Sequence, residues 1–171
     1  KGIIYLLRAM RLLRRELDVK LTVVDQGLPD NEYTPSLARR LGLDGCVDFT
    51  GRVSTEELVK CYARAEVAVV PSLYEGFGFP AAEAMACGVP VVATDTGALP
   101  EVVGHDGCCL LVPPKEPQAL ADAIKRLIGD GELRRRLAVA GRQRIETLFS
   151  WERAARQIVD VYQEVIGSGR D

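Results

Sequence analysis

The segment Pro71-Ser72-Leu73-Tyr74-Glu75-Gly76-Phe77-Gly78-Phe79-Pro80-Ala81-Ala82-Glu83 connects an apolar run at residues 67–70 to an alanine-rich stretch that predicts a helix. Gly76 and Gly78 allow the backbone to come close to a ligand, and Pro80 fits the first turn of a helix. A turn that leads directly into a helix presents free backbone amides, which favour an anion. The segment therefore predicts an anion-binding turn between a buried strand and a helix.

Two glutamates, Glu75 and Glu83, stand on either side of this turn. Carboxylates repel a phosphate at short range, so neither is expected to contact a bound phosphate directly. They can instead accept hydrogen bonds from hydroxyl groups. A ligand with a diphosphate in the middle and a hydroxyl-bearing ring at each end fits this pattern, and sugar nucleotides have that shape.

Strands and helices alternate along the first two thirds of the chain. Short apolar runs predict strands at residues 21–24, 47–50, 67–70, 89–93 and 109–112. Strands that are apolar throughout and separated by helices indicate a parallel sheet covered on both faces. The predicted fold class is therefore α/β, a doubly wound parallel sheet. We expect one domain over residues 1–171, with the α/β part at 1–113 and a mostly helical part at 114–171.

The helices show the expected periodicity and end signals. An amphipathic helix is predicted from Ile3 to Leu17, and Ser54 and Glu57 form a capping box at the start of another. Further helices are predicted at residues 35–41, 80–87, 99–103, 117–128, 132–145 and 151–166. Trp151, which opens the last of these helices, is expected to anchor it against the sheet.

Composition excludes several classes of protein. The chain has 22 Lys and Arg against 24 Asp and Glu, so it lacks the positive field that nucleic-acid binding usually requires. No apolar run approaches the ~20 residues needed to cross a bilayer. The five cysteines lie in apolar segments without a CxxC spacing, which indicates reduced core residues of a cytoplasmic protein. The single histidine, His105, has no neighbour at metal-ligand spacing, so no metal site is predicted.

The segment from Glu75 to Glu83 continues with Ala-Met-Ala-Cys-Gly-Val-Pro-Val-Val-Ala-Thr and then Gly97-Ala-Leu-Pro-Glu-Val-Val103. This pattern resembles the C-terminal donor-binding domain of the retaining, family-four glycosyltransferases of GT-B fold, the glycosyl transferases group 1. The opening Lys1-Gly-Ile-Ile-Tyr-Leu-Leu-Arg-Ala, the block Val47-Asp-Phe-Thr-Gly-Arg-Val-Ser54 and Phe149-Ser-Trp-Glu152 are similar to other parts of that domain. The resemblance covers nearly the whole chain.

The resemblance implies a role for each site residue. Glu75 would be catalytic and would face the transferred sugar, whereas Glu83 would accept hydrogen bonds from the ribose hydroxyls. Lys1 would neutralise the diphosphate of the donor, a nucleoside-diphosphate sugar, so no metal or other cofactor is expected. The base would lie beside Arg52 and Val53. The sugar and the distal phosphate would be held by the amides of Gly76, Phe77, Gly78 and Phe79.

The chain departs from the family pattern at two places. The family has a strand, a loop and an arginine before the position of Lys1, so this chain is expected to lack the first strand of its sheet. The resulting gap must be covered by the chain or a partner, and its unpaired edges invite non-native self-association. Val24-Asp25-Gln26-Gly27 stands where the family has a glycine at the first loop position, which leaves the identity of the base open.

The resemblance also implies a second domain, N-terminal in the same protein, that carries the acceptor site. The isolated chain is therefore expected to bind donor weakly and to transfer nothing. Alternative functions are a related GT-B sugar-nucleotide epimerase or phosphorylase, and a non-catalytic sugar-nucleotide-binding or assembly module. The arginines at residues 134–136 predict a solvated helix face, and the alternative is peripheral contact with anionic lipids at the inner membrane surface.

Overall fold

The computed structural model describes residues 2–24, 33–104 and 107–168. In chain order the elements are α1 (Ile3–Leu13), β1 (Leu21–Val24), α2 (Tyr33–Arg40), β2 (Val47–Gly51), α3 (Thr55–Arg64), β3 (Ala68–Val70), α4 (Phe79–Ala86), β4 (Val91–Thr94), α5 (Leu99–Val103), β5 (Leu110–Val112), α6 (Pro117–Gly129), α7 (Gly131–Leu148) and α8 (Trp151–Ser168). Every element predicted from the sequence is present.

The largest difference from the predicted ends is in α1, which ends at Leu13 rather than at Leu17. The amides of Glu16 and Leu17 both donate to the carbonyl of Leu13, so the chain makes a tight turn there. Leu17 is still packed against the core. The apolar periodicity therefore continues past the end of the helix, which explains the overestimate.

All strand pairs are parallel, as predicted. β1 pairs with β2, and β3, β4 and β5 form a second sheet in that order. Among the described residues no ladder joins β1 to β3, so the strands form two small parallel sheets. Since parallel strands end on the same edge, the loops after β3 and β4 lie side by side.

Helices cover both faces of the three-stranded sheet. Val92 of β4 belongs to a core that includes Leu7 of α1 and Leu120 of α6. Its neighbours Val91 and Ala93 point the other way, into a core formed with α4 and α5. This alternation makes β4 the buried centre of a three-layer α/β structure and confirms the doubly wound architecture.

The last helix, α8, departs from the expectation. Trp151 is 84% exposed, so the prediction that it anchors the helix against the sheet is wrong. The other large apolar side chains of α8 are also exposed: Ile158, Val159, Val161, Tyr162, Val165 and Ile166. Periodicity predicts which face of a helix is apolar, but it does not predict what covers that face. No helix within the described ranges is long and apolar enough to cross a membrane.

The cysteines are all free thiols. Cys46 and Cys109 are buried core residues, in agreement with the prediction. Cys87 is exposed, so the expectation of a core position is wrong for this residue. It occupies the C-cap of α4, where the chain leaves the helix and the side chain no longer faces the sheet.

Candidate functional site

The glycine turn lies between β3 and α4. Gly78 is the N-cap of α4 and has a φ of 101°, a left-handed conformation that favours glycine. A Cβ on Gly78 would also lie 2.7 Å from a methyl group of Leu99. Within the described residues, the amides of residues 76–79 donate no hydrogen bond to another backbone group. These N–H groups and the positive end of the α4 dipole can therefore bind an anion.

Glu75 is half-buried at the start of this turn, and both its backbone and its side chain are held. The hydroxyl of Ser72 donates to Oε2 of Glu75 at 3.0 Å. The carbonyl of Glu75 accepts from the amide of Ala98 at 3.0 Å. The carboxylate is thereby oriented by a local donor, while the backbone is fixed by the loop after β4.

Thr94, the last residue of β4, and the loop that follows it, residues 95–98, fix the segment 72–75 at three further points. The hydroxyl of Thr94 donates to the carbonyl of Ser72 at 2.5 Å, and the hydroxyl of Thr96 donates to the carbonyl of Leu73 at 3.1 Å. Gly97 has a φ of 55°, and a Cβ there would lie 2.2 Å from the carbonyl oxygen of Glu75. Sequence reasoning assigned no role to these residues. The available signal was a Thr-x-Thr-Gly sequence directly after a buried strand on the same sheet edge.

Glu83 lies on an exposed part of α4 and is contacted from α3. The hydroxyl of Tyr62 lies 3.3 Å from Oε2 of Glu83 and 3.2 Å from the carbonyl oxygen of Pro80. Burial raises the pKa of Tyr62, and the negative charge of Glu83 raises it further. The phenol therefore stays protonated and acts as a donor. Tyr62 was also missed by sequence reasoning, because a tyrosine on a helix 21 residues from its partner leaves no local signal.

The two phenylalanines of the turn have different environments. Phe77 is half-buried, and its ring centroid lies 4.7 Å from that of Phe79 and 5.8 Å from that of Phe149. Phe79 is 61% exposed. Phe77 is therefore a packing residue that ties the turn to the end of α7, whereas the ring of Phe79 remains available beside the turn amides.

The start of α1 also reaches the turn. A Cβ on Gly2 would lie 1.7 Å from the carbonyl oxygen of Pro71, so the two backbones are in direct contact. Lys1, predicted to neutralise a diphosphate, lies outside the described residues. The neighbouring position of Gly2 nevertheless places the beginning of α1 beside the end of β3.

The predicted base-binding residues belong to another loop, the one that follows β2. Arg52 is exposed and Val53 is half-buried, directly after β2. In the part of the chain that the structure describes, no hydrogen bond or ion pair links either residue to the glycine turn. Glu75, the turn and Glu83 lie on one continuous segment from β3 into α4. Their roles, like those of Arg52 and Val53, remain predictions. No cluster of metal-ligating side chains was found among the described residues.

The arginines of α7 are largely engaged within the chain. Arg135 pairs with Glu132, and Arg142 pairs with Glu146. Arg134 donates to carbonyl groups at the end of α6, and Arg144 donates to the carbonyl groups of Glu101 and Val102 on α5. Arg134 and Arg144 therefore have a structural role, whereas the exposed pairs of Arg135 and Arg142 lie on a solvated helix face.

Comparison with known proteins finds matches among glycosyltransferases. Residues 1–144 match the family model described as glycosyl transferases group 1. The MMP alpha-(1->4)-mannosyltransferase of Mycolicibacterium hassiacum is 46% identical over 167 residues, which are 97% of this chain and 40% of that protein. The chain thus spans about two fifths of the length of this curated relative.

Two solved structures are similar over nearly the whole chain. Sucrose-phosphate synthase from Thermosynechococcus elongatus has a TM-score of 0.88 and 37% identity, and the match covers 98% of this chain and 43% of that one. HepE from Anabaena, crystallised with UDP and glucose, has a TM-score of 0.79 and 26% identity, over 93% of this chain and 44% of that one.

Proposed function

Because this chain belongs to the glycosyl transferases group 1 family, we propose that it is the donor-binding domain of a retaining glycosyltransferase. Such an enzyme moves a sugar from a nucleoside-diphosphate sugar to an acceptor. The observation that carries this proposal is the glycine turn, which offers free amides at the start of α4 with a held carboxylate on each side. The complex of HepE with UDP and glucose supports a donor of this class.

The amides of residues 76–79 and the start of α4 would bind the distal phosphate and the sugar. The favourable interaction of an anion with a helix N-terminus contributes about 0.3–1 kcal/mol, and each charge-assisted hydrogen bond adds roughly 1.5–3 kcal/mol. Pro80 restricts the backbone at the start of α4, so a ligand would have to order less of this segment on binding. No metal ion is required by this part of the proposal.

The two glutamates would contact the two rings of the donor. Glu83 would accept hydrogen bonds from the ribose hydroxyls, and Glu75 would bind hydroxyls of the transferred sugar near the reacting carbon. Both assignments agree with the electrostatics of the turn, since a carboxylate is an unfavourable phosphate ligand and a good hydroxyl acceptor. The hydrogen bond from Ser72 would keep Glu75 oriented toward the sugar.

The acceptor would be bound by a second domain of the same protein. The supporting observations are the share of its relatives that the chain spans and the apolar face of α8. Trp151, Ile158, Tyr162 and Val165 recur at steps of three, four and seven along α8, and all are exposed. The opposite face mixes arginines with acidic residues, which suits a protein surface better than an anionic membrane. We therefore place the acceptor domain against this apolar face.

A thermal-shift panel of nucleoside diphosphates and their sugar derivatives tests the donor assignment. A ligand at a hundred times its Kd stabilises the folded state by about 2.7 kcal/mol. We expect at least one nucleotide to raise the Tm of the wild-type chain, and Glu83→Ala to reduce that shift. Glu152→Ala, which removes an exposed helical glutamate from α8, is the matched control and should leave the shift unchanged. No shift with any nucleotide at millimolar concentration would refute the proposal.

A further inference from the structure

Each glutamate beside the glycine turn receives a hydrogen bond from a hydroxyl group. Ser72 supplies the hydroxyl for Glu75 from three residues away. The hydroxyl for Glu83 comes from Tyr62, which lies on a different helix and 21 residues earlier in the chain. The contact between Tyr62 and Glu83 is therefore a property of the tertiary fold and not of the turn.

The Tyr62 hydroxyl lies within hydrogen-bond distance of two acceptors on α4. It lies 3.2 Å from the carbonyl oxygen of Pro80 in the first turn and 3.3 Å from Oε2 of Glu83 in the next. A phenol has one proton, so the two acceptors share it. An exposed glutamate on a helix otherwise samples several rotamers, and a donor fixed by a half-buried ring restricts them.

The carboxylate retains acceptor capacity in this arrangement. A carboxylate has about four lone-pair sites, of which the shared Tyr62 proton takes one. The remaining sites are sufficient for two vicinal hydroxyl groups. Burial, together with the negative charge of Glu83, raises the pKa of Tyr62, which favours the protonated, donor form of the phenol.

We propose that Tyr62 is a positioning residue that holds the carboxylate of Glu83 in the orientation that accepts the ribose hydroxyls. This inference rests on the proposed function, since it takes ribose as the partner of Glu83. In this role Tyr62 acts through Glu83 and not on the ligand directly. Tyr62 should therefore affect the affinity only for ligands that have ribose hydroxyls, and only in variants of this chain that keep Glu83.

The test measures the Kd of the nucleoside diphosphate that gives the largest thermal shift, together with its 2′,3′-dideoxy analogue, by NMR titration of the 171-residue chain. Tyr62→Phe keeps the ring and removes the hydroxyl. Restricting one side chain in advance of binding corresponds to about a two- to tenfold change in affinity, so we expect the ribonucleotide Kd to rise by that factor. The Kd of the dideoxy analogue should not change.

Two controls separate positioning from a general loss of structure. In a Glu83→Ala background, Tyr62→Phe should have no further effect on the Kd, because the group it positions is absent. Tyr162→Phe removes the same hydroxyl from an exposed site on α8 and should leave the Kd of both nucleotides unchanged.

The outcomes distinguish this inference from the proposed function. If Glu83→Ala weakens ribonucleotide binding and Tyr62→Phe does not, the positioning role is refuted and the proposed function stands. The inference is also refuted if Tyr62→Phe weakens binding of the ribonucleotide and the dideoxy analogue equally. If the wild-type chain binds no nucleoside diphosphate, or if Glu83→Ala has no effect, both are refuted.

Discussion

The contact between Gly97 and Glu75 makes a quantitative prediction for Gly97→Ala. A left-handed backbone costs a non-glycine residue about 1–2 kcal/mol. The φ of Gly97 is 55°, and the new Cβ would lie 2.2 Å from the carbonyl oxygen of Glu75, so the two loops must separate. Separation breaks the hydrogen bond from the Ala98 amide to that carbonyl, which contributes roughly 0.5–1.5 kcal/mol. We therefore expect the free energy of unfolding to fall by about 1.5–3.5 kcal/mol.

Gly42→Ala is the matched control, because it separates backbone strain from the clash. Gly42 has a φ of 69°, and no atom lies within 4 Å of the position of its Cβ. This variant should lose only the strain energy, about 1–2 kcal/mol. Urea unfolding followed by circular dichroism measures both changes, and an NMR titration measures nucleotide binding.

Gly97→Ala should also weaken nucleoside-diphosphate binding at least tenfold, because the displaced Glu75 carries the start of the turn with it. Gly42→Ala should leave binding unchanged. The reasoning is refuted if the two variants are equally destabilised and bind nucleotide equally well. In that case the loop after β4 would not be what fixes Glu75.

Two further predictions concern buried groups. Thr94→Val keeps the side-chain shape but leaves the carbonyl of Ser72 without its hydrogen-bond donor. The free energy of unfolding, measured by urea titration, should fall by about 1–3 kcal/mol. An unchanged value would show that this hydrogen bond does not stabilise the segment before the turn. Burial raises the pKa of Cys109 to about 12, so at pH 8 only about one thiol in 10⁴ is ionised. A thiol reagent should label the exposed Cys87 in the native protein and Cys109 only after unfolding, and equal labelling rates would contradict this burial.

The order of strands and helices could be predicted from the sequence because each element carries its own local signal. Ser54 and Glu57 satisfy each other's backbone amides as the capping box predicts. The four residues of β4 are all buried, which is what a continuous apolar run indicates for a strand covered on both faces. The glycine turn and its two glutamates also form a local pattern, so the sequence alone predicts them as a candidate site.

Long-range contacts could not be predicted in this way. In the sequence Tyr62 is an ordinary position of an amphipathic helix, and only the tertiary fold brings its hydroxyl to Glu83 on α4. The sequence predicts only a turn at Gly97. Its contact with Glu75 arises because β3 and β4 are paired, which brings the loops that follow them together. The exposure of Trp151 is a related case, since the sequence of α8 defines an apolar face without defining its partner.

These contacts bear on how the turn would bind a ligand. A turn rich in glycine is entropically costly to order, and a ligand that had to order it would lose affinity. Here the fold orders the turn. Contacts from Thr94 and Gly97 fix the backbone at residues 72–75, and Tyr62 restrains the side chain of Glu83 on α4. The glycines of the turn therefore allow a ligand to come close to the backbone, and the neighbouring residues restrict the conformations of that backbone. It follows that substitutions outside the segment from Glu75 to Glu83 should weaken binding without touching the ligand.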